Sequence, residues 1–359
     1  MRYPLLEVDL SAISQNARVI CDIYRPLGVS VAGVFKGSDG SPEVAGAYVE
    51  GGCAQLASSR IRHLAELRGL FPDVPMMLLR IPMLCEAADV VSYADYSLNS
   101  ELRTMRALNE AARAAGRVHK VILMLDVGDR REGYVSVEEL AEAARNVKET
   151  MPYLQVAGVG TNYGCVSGVL PDDENLAFLC EGAQTVEDVM GHPLEIVSGG
   201  SSSSLIRWSK GLPLPEKVNH LRIGGYILNP VNMRLNRGVE IAAMNEDTFC
   251  FKAQVVEVKE KSGVVGTGKN WKGETVQFTD GGVRRRAIIA AGSMDVGDAF
   301  NLLPKDENIA VIASSSDHTV LDVTDCEMPV NAGDILEFRL RYGALLQIFA
   351  TRHVTIEYR

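Results

Sequence analysis

The chain reads as a (β/α)8 barrel followed by a mostly β domain, and three observations predict this. Short apolar or β-branched runs alternate with helical patterns through the first two thirds of the 359 residues, as parallel βα units do. Eight such runs fall between residues 29 and 225, the strand count of a closed barrel. After Pro230 the texture changes, and from position 240 onward turn clusters separate alternating strand-like segments. The expected division is a barrel over 1–235, whose first strand is free to pack with the other domain, and a mostly β domain over 236–359.

The eight runs are 29–36, 54–58, 75–81, 94–99, 119–127, 154–162, 194–199 and 220–225. Between them, 101–115 spaces Leu102, Met105, Leu108 and Ala112 along one helical face. The stretch 136–150 opens with Ser136 as N-cap and Glu139 placed to complete a capping box. Pro171 followed by D-D-E starts another helix, with its acidic residues at the favourable end of the helix dipole. In the second domain the strand-like segments are F-C-F-K-A-Q-V-V-E-V, T-V-Q-F-T, R-A-I-I-A-A-G, I-A-V-I-A-S-S and D-I-L-E-F-R-L, with turns at N-E-D, K-S-G, D-G-G and N-A-G-D. Met76, Met77, Met124 and Cys165 read as packing residues.

Bulk properties narrow the function. Net charge is −10, and the only basic run is Arg284–Arg286, so nucleic-acid binding, which needs a clustered basic surface, is not expected. Seven scattered cysteines without a C-x-x-C fit free thiols in a reducing compartment, and the cytoplasm is the expected location. No apolar run has membrane-spanning length, and no metal site is expected.

Chemistry belongs at the C-terminal ends of barrel strands. The first run ends in Lys36, the fifth in Asp126 followed by G-D-R-R-E-G, and the sixth in Thr161-Asn162-Tyr163. The seventh ends in Gly199-Gly200 with Ser201 to Ser204 behind it, and the eighth carries Arg222 and ends in Gly224-Gly225. A G-G-S-S-S-S turn entering a helix beside a second glycine pair makes an anion cradle of the kind that holds phosphate in such barrels. An imine-forming lysine near a phosphate cradle suggests pyridoxal phosphate. The cradle by itself also suits a substrate phosphate, which leaves open a cofactor-free barrel enzyme that uses Lys36 directly.

In order and spacing, these motifs resemble the fold-type III pyridoxal-phosphate enzymes of the alanine racemase superfamily, in particular the ornithine racemase-like branch. The resemblance runs from Y-P-L-L-E-V-D-L and A-G-V-F-K through R-I-P-M, Y-S-L-N-S-E-L, H-K-V-I-L-M-L-D-V-G-D-R-R-E-G and G-T-N. It continues with V-S-G-G-S-S-S-S-L, L-R-I-G-G and S-S-S-D-H-T-V-L-D-V-T-D. It implies that Lys36 is the Schiff-base lysine and that Arg222 meets the pyridine nitrogen. Ser203, Ser204, Gly224 and Gly225 would hold the phosphate, Arg131 would lie near the phenolic oxygen, and Asn162 would take the slot of a ring-stacking histidine. Asp317 would lie at a homodimer interface beside the partner's site. A guanidinium keeps its proton, so the pyridine nitrogen stays unprotonated and the ring remains a weak electron sink. That suits proton removal and return at Cα over transamination; related decarboxylases place a carboxylate there instead, so the resemblance speaks against decarboxylation within the decarboxylase or lyase alternative.

The chain departs from the family at three places. In A-I-I-A-A-G-S-M-D-V, Ser293 stands where the second catalytic tyrosine would be; Gly40 replaces a tyrosine after the lysine; and F-A-T-R replaces a phosphate-binding tyrosine. Candidates for the second base are His318, the residue type most suited to proton transfer near neutral pH, Asp317, Ser293, Asp295 and a cysteine. The implied activity is racemisation of a small-molecule amino acid, with a basic one such as ornithine favoured by the resemblance. Asp39, Asp129 and Glu132 are the candidate partners for its side-chain ammonium. A non-catalytic pyridoxal-phosphate carrier is the other alternative, but such carriers lack a second domain.

Overall fold

A computed structural model describes residues 2–263, 265–269, 273–279 and 282–359. By its internal contacts the chain forms two compact units, Leu10–Glu246 and a second made of the N-terminal residues through Asp9 with Asp247–Arg359.

The N-terminal strand β1 (Leu5–Val8) belongs to the second unit. The first unit then runs α1 (Leu10–Tyr24), β2 (Ser30–Val34), α2 (Pro42–Glu50), β3 (Gln55–Ser58), α3 (Ile61–Arg68), β4 (Met76–Leu78), α4 (Ala87–Tyr93), β5 (Tyr96–Asn99), α5 (Leu102–Ala114) and β6 (His119–Met124). It continues with α6 (Val137–Thr150), β7 (Leu154–Gly160), α7 (Asp173–Met190), β8 (Ile196–Ser201), α8 (Ser204–Ser209), β9 (His220–Ile223), α9 (Gly225–Leu228) and α10 (Pro230–Arg237). Strands β2 to β9 are parallel and pair in sequence order, and β9 returns to β2 to close the barrel. All eight expected runs therefore became strands. Inside, Ala32, Ala57, Met77, Leu98, Ile122 and Met124 belong to one buried cluster. Burying side chains of this size contributes about 1.5–3 kcal/mol each for the larger ones.

Local chemistry explains where elements begin and end. The first run stops at Val34 rather than Lys36, because Phe35 leaves the β region and Asp39 and Gly40 have positive φ of 45° and 89°. On α5, Met105, Leu108 and Ala112 are buried as their spacing predicts. Ser136 caps α6 by accepting the Glu139 N–H at 3.2 Å, but the Glu139 carboxylate turns to the Val135 N–H at 3.4 Å, so the reciprocal half of the expected capping box is not made. In α7 it is Asp172 that caps, exchanging hydrogen bonds with Asn175 at 2.8 and 3.0 Å, while Pro171 stays outside the helix.

The expected boundary at 235/236 cuts α10. The segment to Glu246 stays with the barrel, because Arg234 pairs with Glu246 at 2.6 Å and Asn16 donates to Asn245 O at 2.9 Å. In the second unit β10 (Phe249–Ser262) is followed by β11 (Val265–Lys269), β12 (Thr275–Thr279), β13 (Val283–Ile289), α11 (Ser293–Val296) and β14 (Leu302–Pro304). Then come β15 (Ala310–Ser314), β16 (Thr319–Asp322), β17 (Ile335–Leu340), α12 (Tyr342–Ala350) and β18 (Thr355–Tyr358). The main sheet has the order β14-β17-β10-β13-β16-β15, with β1 antiparallel to β10 and parallel to β18, and β11 and β12 pair as a separate ribbon. Lys261 and Ser262 of the expected K-S-G turn remain in β10, and positions 280 and 281 of D-G-G lie outside the described residues. Among the described residues, no helix is long and apolar enough to cross a membrane.

Burial also sets a pH dependence. His119 and His220 are enclosed, and burial is the largest cause pushing their pKa values down from 6.5, to about 4 and about 3. The folded state therefore resists protonation that the unfolded chain accepts, so stability is fully present above pH 6.5 and drains away as pH falls toward 4 and 3. For His119 alone the loss by pH 4 is about 3 kcal/mol at 1.36 kcal/mol per pKa unit. In thermal melts across that range, His119→Gln is expected to flatten the acid slope relative to the unmutated protein.

Candidate active site

Lys36 opens a tight turn beyond β2, at the C-terminal mouth of the barrel. Among the described residues its amine makes no hydrogen bond or ion pair. The residue is exposed to solvent. Its pKa lies below the ordinary lysine value, first through desolvation and then through the Arg131 charge, with Arg222 acting in the same sense and Cys165 and Glu132 opposing. An amine in this setting is more often unprotonated, and hence nucleophilic, than a surface lysine.

The barrel closure sets Arg222 beside it, since Arg222 pairs in register with Ala32 of β2. Arg222 is buried; its Nε donates to Ser198 Oγ at 3.1 Å and a terminal nitrogen donates to the Thr161 carbonyl. His220 Nδ1 lies 3.0 Å from the same Ser198 hydroxyl. Burial keeps His220 neutral, and its Nε2 is buried without a partner among the described residues. Thr161 is held in turn by donating to Leu125 O at 2.7 Å. Burial lowers the guanidinium pKa to about 10, so Arg222 remains a cation at neutral pH.

The serine turn and the second glycine pair meet on adjacent strands β8 and β9. The Gly224 N–H donates to Ser202 Oγ at 3.3 Å, and Ser204 Oγ donates to Gly199 O at 3.0 Å. Ser203 and Ser204 head α8, where backbone N–H groups have no partner within the helix. A Cβ on Gly224 would lie 2.5 Å from Val34 O, and one on Gly200, whose φ is +105°, would lie 2.5 Å from the Tyr163 ring. Both glycines are thus required by close packing around the cradle. Tyr48, fully buried, ties these strand ends by donating to Gly224 O at 3.1 Å.

The loops after β6 and β7 form the other wall. Asp126 Oδ1 accepts from the N–H groups of Gly128 and Arg130 at 2.9 and 3.0 Å. Asp129, buried, accepts from Cys165 and Val166 at 2.9 and 3.1 Å and so binds one loop to the other. Arg131 makes a two-pronged contact with Glu132, with one bond of 2.7 Å, and Asn162 Nδ2 donates to the same carboxylate at 2.6 Å. Cys165, expected to pack, is instead exposed, within electrostatic reach of Lys36, Arg131 and Arg222. Of the proposed ammonium partners, Asp39 faces His63 Nε2 at 3.2 Å, and Asp129 accepts backbone donors through Oδ1 while its buried Oδ2 has no partner among the described residues. Gly40 lies against the His63 ring, with which any Cβ there would clash at 2.8 Å; that explains why no tyrosine occupies the position.

The remaining candidates lie in the second unit. Asp317 and His318 are exposed on the β15–β16 turn, and the Ser293 and Met294 N–H groups donate to Ser315 O and Ser316 O at 2.9 and 3.0 Å. Ser293, Asp317 and His318 are therefore neighbours. Asp295 is buried and accepts from the Gly292 N–H at 2.8 Å, which commits it to structure. Phe349 of F-A-T-R packs edge-on against Phe249, with ring centroids 6.1 Å apart. No group of three or more histidines, cysteines or acids able to hold a metal occurs among the described residues.

Sequence reasoning missed Ser198, His220 and Tyr48 and placed Thr161 at a strand end without its role. Ser198, Thr161 and His220 face one another only once the barrel register is known, since Ser198 pairs with His220 across β8 and β9.

A lysine amine, a glycine- and serine-rich turn and a buried arginine gather at the C-terminal end of the (β/α)8 barrel. Residues 8–229 match the family described as "Alanine racemase, N-terminal domain", and the chain belongs to that family. It is 39% identical to an ornithine racemase from Acetoanaerobium sticklandii, across 99% of both chains. It is 36% identical to a lysine racemase from Thermotoga maritima, across 99% of this chain and 98% of that one. A crystal structure of alanine racemase from Bartonella henselae with covalently bound pyridoxal phosphate superposes with a TM-score of 0.72 at 15% identity, over 99% of each chain.

The site carries a direct test. Amine-selective labelling of Lys36, followed by mass spectrometry across a pH series, is expected to reach half its limiting rate below pH 10.5. A midpoint at or above that value contradicts the enclosure of the amine.

Proposed function

We propose that this protein is a pyridoxal-phosphate-dependent racemase that interconverts the L and D forms of a basic amino acid, with ornithine and lysine the first substrates to test. The single observation that carries this reading is the unpartnered, depressed Lys36 amine beside the buried Arg222 and the serine cradle. Membership in the racemase family and the names of its full-length relatives support the reaction and the substrate class.

The residues present fit the cofactor: an anion cradle at Ser203, Ser204, Gly224 and Gly225, a cation at Arg222 for the ring nitrogen, Arg131 for the phenolic oxygen, and Asn162 for the ring face. When bound, pyridoxal phosphate withdraws electrons from an attached amino acid and acidifies its Cα–H bond. Lys36 Nζ would hold the cofactor and, as a free amine, would take or return the Cα proton on one face. Arg222, locked by Ser198 and Thr161, holds its own proton and leaves the pyridine nitrogen without one. We assign the proton transfer on the opposite face to the Asp317–His318 turn of a second copy in a homodimer. In its favour, this turn is exposed and the His318 imidazole has no partner among the described residues.

The reading is tested by incubating the cofactor-loaded protein with single enantiomers of ornithine, lysine and alanine in heavy water. The expected result is deuterium at Cα and loss of optical activity, fastest for a basic amino acid, with Lys36→Ala lowering the rate at least about 10³-fold. Release of carbon dioxide or ammonia without racemisation contradicts it.

A further inference from the structure

We propose that Glu132 is the positioning residue of the mouth, a single carboxylate that clamps Arg131 and Asn162 together and fixes the charge against which Lys36 works. This deepens the reading above and rests on Lys36 carrying the cofactor.

Three carboxylates lie on the loop after β6, and the structure divides their tasks. Asp126 Oδ1 and Asp129 Oδ1 accept from backbone N–H groups and shape the loop, and the second oxygen of Asp129 is buried without a partner among the described residues. Glu132 alone of the three bonds to side chains of the mouth. Arg131 Nε and a terminal nitrogen donate to its two oxygens, and Asn162 Nδ2 donates to Oε1 at 2.6 Å. The backbone is bent to permit this. Arg130 sits at φ 57° and Gly133 at φ 135°, where a Cβ would lie 2.5 Å from Asp126 N. Asn162 is buried and comes from the next strand end, so the carboxylate joins two strand ends across the mouth.

Charge supports the same role. Lys36, Arg131 and Arg222 crowd the mouth, and Glu132 is the one carboxylate whose charge reaches all three. Arg131 depresses both Lys36 and Arg222, and Glu132 opposes it at both. With three donors already bound, Glu132 is poorly placed to receive a substrate ammonium as well.

The test uses the holoprotein and two variants. Glu132→Gln keeps an oxygen for Asn162 but removes the charge; Glu132→Asp keeps the charge on a shorter arm. The visible absorbance of the bound cofactor is titrated with pH, alongside kcat, KM and Tm. For Glu132→Gln, the absorbance midpoint is expected to move down by about one pH unit, because the mouth loses its negative charge. Its kcat should fall about tenfold with KM little changed. Glu132→Asp should keep the midpoint near that of the unmutated protein and lose part of kcat, and it carries the test if the glutamine variant fails to fold. A lowered Tm with unmoved midpoint and kcat in both variants overturns the proposal and makes Glu132 a loop staple. A selective rise in KM for basic amino acids over alanine at an unmoved midpoint also overturns it, in favour of substrate-ammonium binding. If the unmutated protein shows no visible band, the cofactor reading fails and this proposal falls with it; a band that the variants leave unmoved sinks this proposal alone.

Discussion

The pairing of β9 with β2 is the constraint on which the rest depends. It joins segments about 190 residues apart, aligning Ser30 with His220 and Ala32 with Arg222. Without closure, Lys36 would be a strand-end lysine with no arginine near it and no cradle. With closure, Val34 O packs against Gly224, Tyr48 bridges the two strand ends, and Arg222 reaches across to Thr161. A closed parallel barrel also leaves no edge strand, so the mouth is held rigidly from below.

The mouth resolves an electrostatic conflict. Three cations are gathered where an anionic cofactor is to bind, and like charges so placed repel one another. Burial and the neighbouring guanidinium groups push the Lys36 amine toward its neutral, reactive form, while Glu132 limits how far it goes. Arg222 answers the same conflict differently. It gives hydrogen bonds to Ser198 and Thr161 and keeps its proton. One site therefore contains a lysine whose pKa is lowered and an arginine that stays charged at neutral pH.

Much of this was legible in the sequence, for identifiable reasons. The eight strands announce themselves because parallel strands buried on both faces are apolar runs, and Lys36, Asn162 and Arg222 fall at or near their ends. The glycine pairs were legible as close approaches, and the packing of Gly200 and Gly224 agrees. The rest depends on three-dimensional register. Arg131 and Glu132 are adjacent in the chain, and nothing in that adjacency says that the glutamate also takes Asn162 thirty residues on. Ser198 and His220 meet only across the β8–β9 pairing. Cys165 looks like a packing thiol until the loop tied by Asp129 turns it outward. The end of the barrel unit at Glu246 is set by an ion pair and an asparagine contact that leave no periodic trace.

The identity of Lys36 as the cofactor-bearing residue is the claim most worth measuring directly. Borohydride reduction of the purified holoprotein, followed by peptide mapping, should place a reduced pyridoxyl phosphate adduct on the peptide containing Lys36 and nowhere else, with loss of the visible band. An adduct on another lysine, or a colourless protein that takes up no cofactor, would contradict it.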